Sequence, residues 1–87
     1  MIVATALLVA AATCVPPRDA KGRIARSNAV RQLFAQKAAC PSTSKHALPC
    51  PGYRIDHIVP LKRCGADAVE NLQWLTTEEW KTKTRWE

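Results

Sequence analysis

An α+β fold is predicted for this chain of 87 residues, and three observations carry that expectation. Residues 53–75 read as two short strands with a turn-rich excursion between them, Thr76 and Glu79 spell a helix start directly after the second strand, and an amphipathic stretch begins behind Ser27. So short a chain has little interior to bury, and its stability leans on a crosslink, a metal or a compact local motif. A multi-domain enzyme is excluded.

The first 15 residues, MIVATALLVAAATCV, hold no charged side chain. They are too short to span a bilayer, which takes about 20 apolar residues. Residues 1–14 therefore read as the apolar part of an export signal. The run Ala10, Ala11, Ala12 suits signal-peptidase cleavage, although the usual Lys or Arg ahead of the apolar run is missing. A buried helix of the mature fold is the competing reading. Cys14 also hints at a lipoprotein anchor, but Thr13 matches poorly the small residue such sites carry. An exported protein, periplasmic or secreted, is expected, with no transmembrane span in the mature chain and membrane anchoring through Cys14 the lesser alternative.

Residues 15–52 form an N-terminal part. Asp19, Ala20, Lys21 and Gly22 make a turn with Arg18, Arg23 and Arg26 around it, which predicts a short basic hairpin or loop. Ser27 is an N-cap for a helix that reaches about Ala39, where Val30, Leu33, Phe34 and Lys37 recur at helical spacing. Val30, Leu33 and Phe34 are core candidates; Arg31 and Lys37 read as solvated. Pro41 stops the helix. Cys40 and Cys50 bracket CPSTSKHALPC, a segment rich in Pro, Ser and Thr that regular hydrogen bonding would not hold, so a disulfide between them is expected. Zinc is the weaker alternative, because no Cys-x-x-Cys pair occurs and His46 lacks a second histidine at finger spacing. His46 reads as a loop residue. Cys64 has no obvious partner.

Residues 53–87 form the second part. YRIDHIVPL is rich in β-branched and aromatic residues and reads as a strand that frays at Pro60, which has no N–H for a ladder. KRCGADAVE is a turn region around Gly65 and Asp67. NLQWL is a second strand with Leu72 and Trp74 on one face and Asn71, Gln73 and Leu75 on the other. Thr76 and Glu79 then form a capping box for a last helix through about Trp86.

Thirteen Lys and Arg against seven Asp and Glu give a formal charge of +6, all of it placed after Pro17. Such a field draws polyanions, nucleic acid first among them, although a membrane surface would also answer to it.

Hydrolysis of a phosphodiester needs a base for water, a cation for the phosphate oxygens and a group that holds the base. Asp56, His57 and Asn71 are of the right types. Strand neighbours project to opposite sides, so Asp56 and His57 share a site only where the strand ends or twists out, as Pro60 suggests it soon does. Imidazole is neutral near pH 7 in its ordinary state, as a base must be.

Asp56-His57, followed by Asn71 fourteen positions after His57, resembles the HNH endonucleases of the ββα-metal class, and IDHIVPL with NLQWLT is close to the usual wording of that motif. The likeness covers residues 53–87. It extends more loosely to small exported HNH proteins through RDAKGRIARS and the Cys40 to Pro51 loop with CPGY. The resemblance implies a small ββα-metal unit preceded by the basic hairpin and the amphipathic helix. It further implies that Asp56 is a metal ligand, His57 the general base, and Asn71 the residue that fixes the loop and the imidazole.

Trp80 departs from the pattern, since the position nine after Asn71 ordinarily holds a second metal-binding histidine. Three outcomes follow. Asp56, waters and substrate phosphate oxygens hold the ion together; a helix neighbour such as Thr77, Thr84 or Glu79 replaces the ligand; or cleavage is lost and binding kept. The first is favoured, and a single hard oxygen ligand suits Mg²⁺ or Mn²⁺.

Arg54, Lys62, Arg63, Lys81, Lys83 and Arg85 flank the site and are the candidate phosphate contacts. Trp74 and Trp80 read as core anchors for the last helix, and Trp86 as either a packing residue or an exposed stacker for bases. The expected activity is divalent-metal-dependent hydrolysis of DNA, ahead of RNA, by a monomer with little sequence preference, because no separate element remains to read base edges. The alternative is a non-catalytic nucleic-acid-binding protein on the same scaffold. A basic envelope lipoprotein acting on something other than nucleic acid is the third.

Overall fold

In the computed structural model, which describes residues 14–87, Ser27 caps helix α1 (Asn28–Lys37) by accepting a hydrogen bond on its Oγ from Val30 N at 3.3 Å. The helix ends at Ala38, ahead of Pro41 and slightly short of the expected boundary. Residues 1–13, on which most of the expected export segment falls, lie outside the described residues. Upstream of Ser27 the basic turn is present. Arg18 and Ile24 form an antiparallel bridge, and Asp19 Oδ1 accepts from Lys21 N and Arg23 N at 2.9 and 3.0 Å.

The apolar face of α1 differs from its periodicity. Phe34 and Ala35 are buried, but Leu33 is 44 % exposed and Val30 only partly covered. Part of the helix's cover is the 3₁₀ turn Val69–Asn71 and part is Trp74. Its ring meets Phe34 at 5.3 Å between centroids, tilted by 51°, and its Nε1 donates to Ala38 O at 3.0 Å. One indole thus packs the helix and satisfies a carbonyl at its end.

Strands β1 (Tyr53–His57) and β2 (Leu72–Thr76) pair antiparallel, with Tyr53 opposite Thr76, Ile55 opposite Trp74, Asp56 opposite Gln73 and His57 opposite Leu72. β1 ends three residues before Pro60, and Leu61–Arg63 then form a single 3₁₀ turn. β2 starts one residue later than expected because Asn71 closes another such turn, Val69–Asn71. Helix α2 (Thr77–Trp86) carries the expected capping box: Thr76 Oγ1 accepts from Glu79 N at 3.1 Å and Glu79 Oε1 from Thr76 N at 2.8 Å. Among the described residues these are the two helices and the one sheet. No helix among them is long and apolar enough to cross a membrane.

Cys40 and Cys50 are joined in a disulfide and are both buried, which leaves neither sulfur free for zinc. Cys64, for which the sequence offered no partner, is joined to Cys14 across 50 residues. A Cys14 sulfur engaged in this bond has no valence for a lipid thioether. Replacing both Cys40 and Cys50 by serine is expected to lower stability by about 2 to 3 kcal/mol, since the loop then regains its freedom in the unfolded chain. Urea denaturation under non-reducing conditions measures the loss.

Candidate functional site

A cleft lies at the end of β1, lined there by three successive strand residues, Ile55, Asp56 and His57, while the side chains of the last two have different partners. Asp56 and His57 both line it, together with Arg26 and Lys62 on the rim and Trp80, Thr84 and Glu87 from α2. Asp56 is only 7 % exposed, and a carboxylate so placed requires partners. Its Oδ2 accepts from Gln73 Nε2 at 3.0 Å, the residue opposite it in the ladder, and lies 3.2 Å from Lys83 Nζ.

Lys83 is the centre of an oxygen cluster. Besides Asp56 Oδ2, its ammonium donates to the His57 carbonyl at 3.1 Å and to Glu87 Oε2 one helical turn on. Burial pulls its pKa down, but the hydrogen bonds and charges of Glu87 and Asp56 outweigh that and hold it above the ordinary 10.5. The group is therefore a fixed positive charge. Lys83 was expected among the phosphate contacts; instead its charge is spent inside the fold on two carboxylates.

His57 is held by a residue that sequence reasoning had placed only as a turn former. Its Nε2 lies 2.9 Å from Asp67 Oδ1, while Asp67 Oδ2 accepts from Ser27 N at 2.6 Å. A carboxylate accepts only, so the proton of a neutral ring belongs on Nε2 and the lone pair on Nδ1. Asp67 comes ten residues after His57 in a loop that folds back on itself. A Gly-Ala-Asp turn offers no local signal of this role. Glu87 was also missed, although its i,i+4 spacing from Lys83 was a usable clue.

Asn71 staples that loop. Its Oδ1 accepts from Val59 N at 3.0 Å, and its Nδ2 donates to Val59 O at 3.0 Å and Ala66 O at 2.8 Å. It makes no hydrogen bond with the His57 ring, so it fixes the loop directly and the imidazole through Asp67 and the loop backbone. Gly65 permits the closure. A Cβ built there would stand 1.9 Å from Val59 O, and its N–H donates to Pro60 O at 3.0 Å.

The remaining expected residues divide. Lys62 lines the cleft, whereas Arg63, Lys81 and Arg85 are exposed and outside it. Arg54 lies over the Trp80 ring, 4.0 Å from its centroid, and borders a separate depression with Arg31 and Tyr53. Arg26, from the basic turn, joins the rim in its place. Trp80 is half-buried and forms a cleft wall, while Trp86 is 79 % exposed and packs little. Of the three helix residues that could stand in for a histidine, Thr84 alone lines the cleft. Thr77 donates to Gly52 O and Glu79 is held in the capping box. His46 is exposed, with Nδ1 2.8 Å from Gln36 O. Among the described residues no three His, Cys, Asp or Glu side chains gather as a metal-binding group.

Comparison with protein-family models, with curated proteins and with solved structures finds no match for this chain.

Proposed function

We propose that the chain is a small exported endonuclease of the HNH type, with residues 53–87 as its ββα-metal unit, hydrolysing phosphodiester bonds of DNA with little sequence preference. The observation that carries this reading is a single cleft lined by both Asp56 and His57 and by the cations Arg26 and Lys62, with the His57 ring anchored by Asp67 and the loop by Asn71. The antiparallel strands, the loop between them and the capped helix behind them support the scaffold. Export fits the two disulfides, which persist in oxidising compartments.

His57 takes a proton from water at Nδ1 while Asp67 keeps the Nε2 proton in place and stabilises the imidazolium that forms. Asn71 holds the Val59 and Ala66 backbone, and with it the loop carrying Asp67. Arg26 and Lys62 attract the phosphate, and their contacts carry no base information. Trp80 has no ligating atom, so the oxygens of Asp56, Glu87 and the His57 carbonyl are the groups that would hold Mg²⁺ or Mn²⁺, all of the hard type these ions prefer. Once bound, such an ion would neutralise charge on the phosphate oxygens.

One observation favours a second reading, a non-catalytic nucleic-acid-binding protein on the same scaffold: Lys83 already fills the place beside Asp56. Nicking of supercoiled plasmid DNA separates the two. Cleavage by the parent with Mg²⁺ or Mn²⁺, suppressed by chelator and by His57→Ala, is the expected result. Equal, undetectable cleavage by parent and variant would leave binding as the function.

A further inference from the structure

We propose that the Lys83 ammonium and a divalent cation are alternative occupants of the oxygen cluster formed by Asp56, Glu87 and the His57 carbonyl, so that Lys83 has to withdraw before an ion binds. This rests on the divalent-ion part of the nuclease reading. The geometry points to it because Nζ already sits 3.2 Å from Asp56 Oδ2 and 3.1 Å from His57 O, and bonds Glu87 Oε2 as well. Mg²⁺ binds its oxygens at about 2.0 to 2.1 Å. An ion at that distance from the same Asp56 oxygen, on the side of the cluster, would overlap the space of the ammonium and repel its charge.

Lys83 is able to leave. It stands in the last turn of α2, its side chain is 26 % exposed, and its four-carbon stem is flexible. With the ammonium in place the buried carboxylate is compensated without any ion, which accounts for a site that is fully partnered as it stands. No buried side-chain nitrogen or oxygen among the described residues lacks a hydrogen-bond partner. The ion then competes with a tethered cation, and its apparent affinity falls by the fraction of molecules in which Lys83 is withdrawn.

The test uses the full chain without nucleic acid, so that ion binding and cleavage are judged separately. Free Mn²⁺ is followed by electron paramagnetic resonance in titrations of the parent, of Lys83→Met, and of Lys83→Met combined with Asp56→Asn. Lys83→Met is expected to bind Mn²⁺ at least about tenfold more tightly than the parent, as when a withdrawn state populated at about 10 % or less becomes the only one. The added Asp56→Asn should remove that gain. Equal or weaker binding by Lys83→Met, or no binding by it, overturns the proposal. Because Lys83→Met leaves Asp56 uncompensated and could unfold the chain, a second measurement uses the parent alone. Nitrogen-15 spectra of its lysine ammonium groups are recorded during titration with Mg²⁺. The Lys83 signal should move toward that of solvated lysines, whereas a signal that stays in place at saturating Mg²⁺ overturns the proposal. A chain that passes both measurements yet never nicks DNA would refute the nuclease reading and leave the competition standing.

Discussion

Replacing His57 by alanine is expected to slow plasmid nicking by about 10²- to 10⁴-fold, the range that a positioned general base contributes. The prediction follows from the division of labour on the ring. Asp67 occupies Nε2 at 2.9 Å, which leaves a single nitrogen to accept a proton, and alanine removes it. The fold should survive. His57 is paired in the ladder through its backbone, its carbonyl still receives Lys83, and Asp67 keeps its bond from Ser27 N. Circular dichroism and the thermal midpoint should therefore stay close to the parent, as should DNA affinity at low salt, because the rim cations are untouched. Nicking by His57→Ala within tenfold of the parent would remove His57 from the role of base while leaving the rest of the site in question.

Gly65→Ala should be the most damaging of the three Gly→Ala substitutions. Its Cβ would stand 1.9 Å from Val59 O and 2.9 Å from Val59 Cβ. The nearest atom is backbone, so no rotamer change relieves the overlap and the loop itself has to move. Val59 is also where Asn71 donates and accepts, so the movement breaks the staple along with the close approach. Overpacking of about 1 to 3 kcal/mol and about 0.5 to 1.5 kcal/mol for each of the two Asn71–Val59 hydrogen bonds lost together give a loss of about 2 to 6 kcal/mol, centred near 4. For a domain of this size each kcal/mol lowers Tm by about 4 to 8 °C, so a fall of at least about 8 °C, and about 16 °C or more at the centre of that range, is expected in a thermal melt. Gly22→Ala is the control. It meets nothing within 4 Å, and only its φ of +80° opposes a side chain, a penalty of about 1 to 2 kcal/mol. A Gly65→Ala melt no lower than that of Gly22→Ala would mean that Val59 and Gly65 are not in close contact.

What the sequence disclosed about the fold was chiefly local. Ser27, Thr76 and Glu79 act within one helical turn of themselves, and each caps where its spelling says it should. Cys40 and Cys50 are ten residues apart in a stretch that had few other ways to hold its shape, and they pair. The role of Asn71 in fixing the loop was also legible, because its side chain reaches only the turn between the strands, at Val59 and Ala66. The rest depends on chain segments meeting across long separations. Cys14 reaches Cys64 only because the basic turn lies against the loop, and Asp67 reaches His57 only because Asn71 draws that loop closed. Lys83 reads in sequence as one more solvated cation, and nothing short of the packing of α2 on β1 reveals that it neutralises a buried acid. Leu33 shows the converse limit. Periodicity marks it as apolar-facing, but so small a fold cannot shelter the whole stripe of α1.

The divided loyalty of Asp67 has a mechanical consequence. One carboxyl group holds the ring of His57 with one oxygen and the first backbone amide of the α1 cap with the other. The posture of the imidazole is thereby geared to the seating of a helix nearly thirty positions upstream. A ligand, crosslink or substitution that tugs on the start of α1 acts on the ring through this lever without touching the cleft.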